Sequence, residues 1–384
     1  MTITFLILFG LTALSLATWS HLLFLRGGFW KADQELAAAG QLDEWPSVLV
    51  VIPARDEAKT IGHTVGSLLA QDYPGELSII VVDDGSSDGT VAAAGVSERL
   101  RIIEGAVLAE GWTGKLWAVS QGIAAAPELA PTATYFLLTD ADIVHHYENI
   151  RQLVFKAERE RLDLVSLMVG LHCQGFWEKR LIPAFVFFFQ KLYPFTWVND
   201  PTRSTAAAAG GCMLVRRQAL AAAGGVAIIR DRLIDDCALA GLLKPHGQIW
   251  LGLSHHTRSL RRYQRLSEIW DMVARTAFVQ LDHSAMLLLG AVFGMGLLYL
   301  VPPIATITGL LLGQTGLELL GAAAWAAMAA AYAPTLRLYD QRSAHTLWLP
   351  IVGLLYAMIT VSSALRHWRG YGGGWKGRNY SSGE

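Results

Sequence analysis

The chain has 384 residues, of which 53% are hydrophobic and only 16% charged; an ordinary soluble domain carries about a quarter charged residues, so part of the chain is expected in a bilayer. Lys and Arg number 31 against 32 for Asp and Glu, a balance that excludes a general polyanion binder and with it nucleic acid as a partner. The three cysteines, Cys173, Cys212 and Cys237, form no CxxC pair, which excludes a disulfide framework and a thiol-based zinc site.

Residues 3–25 are apolar and long enough to cross a hydrocarbon core, with Arg26 and Lys31 directly behind them. A cleaved signal would carry its basic residues in front. Residues 1–26 are therefore expected to be an uncleaved anchor whose C-terminal end faces the cytosol.

Residues 45–283 read as an α/β domain. WPSVLVVIPA begins it as a buried parallel strand, KTIGHTVGSLLAQ follows as a helix, and LSIIVVDDGSSDGT and YFLLTDAD are further strands that end in acids. Strand, helix, strand at this spacing implies right-handed crossovers and a parallel sheet, with the ligand beyond the carboxyl ends of the strands. Residues 284–365 hold three more apolar stretches, 285–312, 317–334 and 345–365, the first interrupted by Pro302-Pro303, which is expected to kink or split it. Three full crossings would carry the basic tail, residues 366–384, to the side opposite the α/β domain, against the positive-inside tendency; one re-entrant or interfacial stretch would remove that conflict. LIPAFVFFF, residues 181–189, is about half a span and suits an interfacial helix.

Several motifs could carry chemistry. Asp140-Ala141-Asp142 closes an apolar strand, where alternation would point both carboxylates the same way, toward one shared divalent cation; alone, such a triplet is commonly a solvated turn. Asp83-Asp84 opens an acidic turn that caps a helix near Thr90 and can also accept hydrogen bonds from a ribose or base. Gly111-Trp112-Thr113-Gly114-Lys115 leads into a helix and could offer amides and a lysine to a diphosphate, but it lacks the P-loop pattern. Asp235-Asp236 lies at a helix N-terminus, where negative charge is favoured whether or not Asp236 is a general base. His145-His146 and His255-His256 lack zincin spacing; at most one of the second pair is an additional metal ligand.

Together, VVIPARDEAKTI, IIVVDDGSSDGT, GWTGK, LLTDAD and the late IDD resemble, in order and spacing, the family 2 glycosyltransferases of the GT-A fold. With its apolar flanks and the tail WKGRNY the chain is similar to the lipid-directed branch, nearest to hopanoid-associated glycosyltransferases and more distantly to ceramide glucosyltransferases. The resemblance implies a GT-A domain with a Rossmann-like mixed sheet flanked by transmembrane helices. It also implies an inverting hexosyltransferase of a bacterial inner membrane, its catalytic domain in the cytoplasm, a UDP-sugar donor, a lipid acceptor and a Mg²⁺ or Mn²⁺ cofactor. By position it implies that Asp56 and Asp84 hold uracil and ribose, that Pro53, Ala54 and Glu57 line the same pocket, and that Lys115 meets the diphosphate. Asp140 and Asp142 become the metal-binding pair, with Asp142 the direct ligand, and Asp236 the base. The family's QxxRW is replaced here by Met272-Val273-Ala274-Arg275-Thr276; Arg275, or Lys376 and Arg378 of the tail, would then meet acceptor or diphosphate, although a basic tail also suits anionic headgroups. Two alternatives stand beside this reading: a polyprenyl-phosphate sugar synthase, and a non-catalytic membrane scaffold that kept the fold.

Overall fold

The computed structural model describes residues 3–371 together with the backbone of 374–375 and 378–379. Eight strands form one mixed sheet: β1 (Val48–Ala54), β2 (Leu77–Asp83), β3 (Leu100–Glu104), β4 (Tyr135–Leu138), β5 (Ile143–Val144), β6 (Leu162–Gly170), β7 (Met213–Arg216) and β8 (Gln248–Ser259), in the spatial order β3-β2-β1-β4-β7-β6-β8-β5. β1, β2 and β4 are mutually parallel, as the sequence predicts, and β3, a strand it did not single out, pairs parallel to β2. β7 is antiparallel to both β4 and β6, and β6 and β8 run parallel.

Both faces of the sheet are covered, which is why β1 is a continuous apolar run rather than an alternating one: all seven of its residues are buried. Leu49, Val51, Ile80 and Val82 pack on one face, and Val50, Ile52, Ile79 and Val81 on the other. Fully burying a side chain of this size contributes about 1.5–3 kcal/mol, so β1 and β2 form the rigid centre from which the loops of the site project.

Eight helices matter for the site: α1 (Ile3–Leu25), α2 (Gly114–Ala124), α3 (Glu178–Leu192), α4 (Asp235–Leu243), α5 (Leu266–Ala277), α6 (Ala285–Leu311), α7 (Thr315–Leu338) and α8 (Leu349–Trp368). Four helices are long and apolar enough to cross a membrane: α1, α6, α7 and the stretch Ser343–Trp368 that contains α8. α1 buries Thr12, Ser15, Trp19 and Leu22, a stripe at helical spacing, while Ile3, Leu6, Ile7 and Phe9 remain exposed on other faces. Small and polar groups at the packed stripe let helices approach closely, and apolar groups outside it suit lipid.

α6 shows what the two prolines do. Pro302 has no N–H to offer the carbonyl of Leu298, one turn earlier. The helix widens into a π-turn over Gly296–Leu300, and the Leu298 carbonyl instead accepts the indole N–H of Trp19 at 3.0 Å. The helix is thus re-registered rather than split, and Trp19 packs edge-on against Tyr299.

α8 does not leave the α/β domain behind. Trp348, just before it, lies under the Arg180 guanidinium, the Tyr356 hydroxyl donates to the Leu181 carbonyl at 2.8 Å, and Arg366 at its far end pairs with Asp271 of α5 at 2.7 Å. Both ends of α8 therefore contact α3 and α5, the helices that border the sheet domain. Arg366, the first residue of the basic tail, thus lies beside α5.

Candidate active site

The site lies at the carboxyl ends of β1, β2 and β4, facing α3, α4 and α5. Directly after β1, Asp56 adopts a left-handed backbone (φ 50°), and its Oδ1 accepts the Ser87 amide at 2.9 Å. Ser86 Oγ in turn accepts the Asp56 amide at 3.0 Å, so the β1 and β2 loops are tied together. Arg55 donates to the Asp84 carbonyl and lies 3.6 Å from its carboxylate. Asp84 and Ala54 are buried, and Pro53, Arg55 and Glu57 line a cavity. Asp88 accepts the Thr90 amide through Oδ1 at 3.1 Å, but the N-cap of the short helix Thr90–Ala94 is Gly89, so the turn supplies no side-chain N-cap.

Asp140 and Asp142 depart from expectation. β4 ends at Leu138, so both acids lie in the turn beyond it, and strand alternation does not align them. Asp140 meets Lys115 of α2 at 2.8 Å, and Lys115 also meets Asp235 at 3.0 Å. Asp142 Oδ2 accepts from Ser259 Oγ at 3.2 Å and from Arg261 Nε at 3.1 Å. The pairing of β5 with β8, which sets Ile143 opposite Ser259, brings this arginine in. Arg261 also reaches Glu57 at 2.9 Å, so one guanidinium joins the β1 loop to the β4 turn. Burial, with the charge of Asp140 next, raises the Asp142 carboxyl above its usual range despite Arg261. Burial also opposes the charge on Lys115, but Asp140 and Asp235 outweigh it and hold the ammonium protonated.

Asp236 sits in the first turn of α4. Its Oδ2 accepts the Gly210 amide at 2.9 Å and its Oδ1 the Cys237 amide at 2.7 Å. Burial, then the charge of Asp235, pushes it up to about 6, with Lys115 and the two amides pulling the other way. A carboxylate poised there can take a proton near neutral pH. Gly210 is a close-approach position: a Cβ there would lie 3.1 Å from Lys115 Nζ and 3.5 Å from Asp236 Oδ2.

Glu57, Lys115, Asp140, Asp142, Asp236 and Arg261 line one cavity of about 490 Å³ that continues past Asp236 between α3, α5, α6 and α8, whereas Ala54, Asp56 and Asp84 do not line it. Arg275 lines that continuation from α5, as do Met272 and Ala277. α5 is amphipathic, burying Ile269, Val273 and Ala274, and its start is fixed by Glu268 Oε2, which accepts the Gln264 and Arg265 amides at 2.6 and 3.2 Å. Lys376 lies outside the described residues, as does the side chain of Arg378. The second histidine pair lies elsewhere: His255 meets Glu35 at 3.0 Å, His256 stacks against His146, and neither lines the cavity. Sequence reasoning missed Arg55, Gly210, Arg261 and Lys191. The arginine-rich run 258–265 between the late acids and the amphipathic α5 was the one signal that pointed to Arg261.

Residues 49–224 match the sequence profile of glycosyl transferase family 2. The matched stretch is somewhat less than half of the chain, which is similar to this family there. An N-acetylglucosaminyltransferase of Mesorhizobium japonicum is 46% identical over 58 residues, 15% of this chain and 13% of that protein. A 4,4'-diaponeurosporenoate glycosyltransferase of Staphylococcus aureus is 38% identical over 78 residues, 20% of each chain. The matches thus span a fifth or less of these curated relatives. Among solved structures, a mannosyltransferase from Pyrobaculum calidifontis, in complex with GDP-Man and Mn²⁺, superposes with a TM-score of 0.54 at 18% identity over 93% of this chain and 99% of that one. The fold is GT-A, a mixed α/β sheet accompanied by long apolar helices.

Proposed function

We propose that this protein is an inverting, membrane-bound glycosyltransferase that moves a sugar from a UDP-sugar to a lipid. The observation that carries the reading is one cavity that joins the acidic loops after β1 and β4 to a mostly apolar passage between α3, α5, α6 and α8. A nucleotide sugar suits the first part and a lipid tail the second. Pro53, Ala54, Asp56, Glu57 and Asp84 would hold the nucleoside, and Lys115, with Arg261 beside it, the diphosphate. Asp236, fixed by two backbone amides, would take the acceptor's proton as its oxygen attacks the anomeric carbon from the face opposite the diphosphate. The diphosphate leaves with the bonding electrons.

Asp140 and Asp142 fit Mg²⁺ or Mn²⁺. They are hard oxygen donors in one turn, and burial and mutual repulsion already disfavour the charge on Asp142. Asp142 would be the direct ligand, and the ion when bound would offset charge on the leaving diphosphate. The mannosyltransferase with the same fold carries GDP-Man and Mn²⁺ in its crystal, and the diaponeurosporenoate enzyme has a lipid-like acceptor in its name; both support the reading. The resemblance to hopanoid-associated enzymes makes a hopanoid the first acceptor to assay. The four long apolar helices, with Arg26 and Lys31 behind α1, support an inner-membrane protein with its α/β domain in the cytoplasm.

The test is transfer of radiolabel from a panel of UDP-sugars into organic-extractable lipid by membranes containing the protein, with Mn²⁺ or with EDTA. Metal-dependent label in the lipid phase from one preferred sugar is expected. Label that appears only in water-soluble products would overturn the lipid acceptor.

A further inference from the structure

The two halves of the cavity differ in charge. All the carboxylates that line it, Glu57, Asp140, Asp142, Asp235 and Asp236, belong to the donor half. The part walled by α3, α5, α6 and α8 is apolar and aromatic and contains two cations, Lys191 and Arg275. Neither meets a carboxylate of a described residue within 4 Å, whereas Lys115 and Arg261 in the donor half meet two each.

Lys191 is the more telling of the two. It is the penultimate residue of α3, partly buried, and its side chain borders the cavity. Its ammonium donates to the Tyr299 hydroxyl at 2.7 Å and lies 5.1 Å from the Phe188 ring centroid and 4.9 Å from that of Tyr299. A hydroxyl and two ring faces leave a partly buried ammonium without a counter-charge, the partner that best offsets its desolvation. Its surroundings register the lack: burial, then the nearby Arg26, push the ammonium down to about 7.

We propose that the acceptor is a lipid bearing an acidic group, a carboxylate or a phosphate, which docks at Lys191 in the membrane half of the cavity. The inference rests on the lipid-acceptor reading above and specifies the acceptor's chemical class. The acid supplies the missing charge, and the hydrocarbon follows the apolar wall of Phe188, Met272, Ala277 and Met295. Its oxygen attacks the anomeric carbon, and the bond to the diphosphate breaks with the electron pair going to the leaving group. An acceptor that arrives ionised gives up no proton, and one that arrives protonated gives its proton to Asp236.

The experiment uses the full chain in detergent or proteoliposomes with three acceptors of one isoprenoid length, ending in an alcohol, a carboxylate or a phosphate. At least one acid is expected to exceed the alcohol in kcat/KM by about tenfold or more, and which acid leads identifies the source of the charge. Lys191→Gln is expected to raise KM for that acid by about 30-fold, with KM for the UDP-sugar unchanged and Lys191→Arg restoring most of the affinity. Equal or better use of the alcohol overturns the acidic acceptor and leaves the lipid reading intact. Transfer to none of the three, with donor binding preserved, overturns both. Should Lys191→Gln fail to fold, judged by loss of UDP binding, the wild-type ranking of the three acceptors decides alone.

Discussion

The donor half and the membrane half of the cavity handle charge in opposite ways. At the strand ends, acids and bases are interleaved. Lys115 joins Asp140 to Asp235, Arg261 joins Asp142 to Glu57, and Asp236 is held by two amides. In the membrane half a single class of charge, two cations, stands among apolar walls. The first arrangement keeps ionised groups solvated by one another. The second has room for a molecule that is mostly hydrocarbon and carries at most a small anionic head. A shared cavity with two electrostatic characters suits the proposed transfer of a sugar from a nucleotide to a lipid.

This contrast can be tested by disabling each half separately. Removing the proton acceptor should have the largest effect. With an alcohol acceptor, which must lose a proton, Asp236→Asn is expected to lower kcat by about 10²–10⁴-fold while UDP still binds in calorimetry; near-normal turnover would remove Asp236 from the mechanism. Asp142→Ala should come next, with kcat down by about 10²-fold and the stimulation by Mn²⁺ lost, read from a metal titration of the transfer rate. Below pH 6 the wild-type kcat/KM should fall about tenfold per pH unit, because a base raised to about 6 is protonated there and cannot accept a proton; a flat profile between pH 5 and 7 would count against this assignment.

Crowding the other half should have a different signature. Ala277→Trp, on the α5 wall, is expected to raise KM for the lipid by about tenfold and leave KM for the donor alone, which separates the halves kinetically; parallel changes in both constants would mean that they are one site. The smallest effect belongs to Arg261→Ala. It should lower stability in EDTA by about 1–2 kcal/mol, a buried-pair loss discounted for partial exposure. Mn²⁺ with UDP should restore much of that in a thermal melt, because the ion would take over the guanidinium's place beside Asp142.

Much of the donor half was legible in the sequence because local chemistry fixes it. Buried parallel strands must be continuous apolar runs, so β1, β2 and β4 identify themselves, and acids directly after them must lie at the strand ends. The same holds for Asp236, because a helix N-terminus following IDD can be read from periodicity alone. The orientation of side chains in the β4 turn was not legible, since leaving the strand by one residue cancels the alternation on which the Asp140–Asp142 alignment depended. Arg261 was hidden for a different reason: it reaches Asp142 through the β5–β8 pairing across more than a hundred residues.

The sequence by itself determined the class of fold, the strands β1, β2 and β4, the acids that follow them and the presence of long apolar helices, because hydrophobic periodicity and residue chemistry act over a few neighbouring positions. Only the tertiary structure decided that α8 turns back along α3 and α5, that Trp19 completes the broken turn of α6, and that Lys191 faces a cavity without a counter-charge. Each of these depends on contacts between segments far apart in the chain, and hydropathy measures how apolar a segment is, not what it packs against.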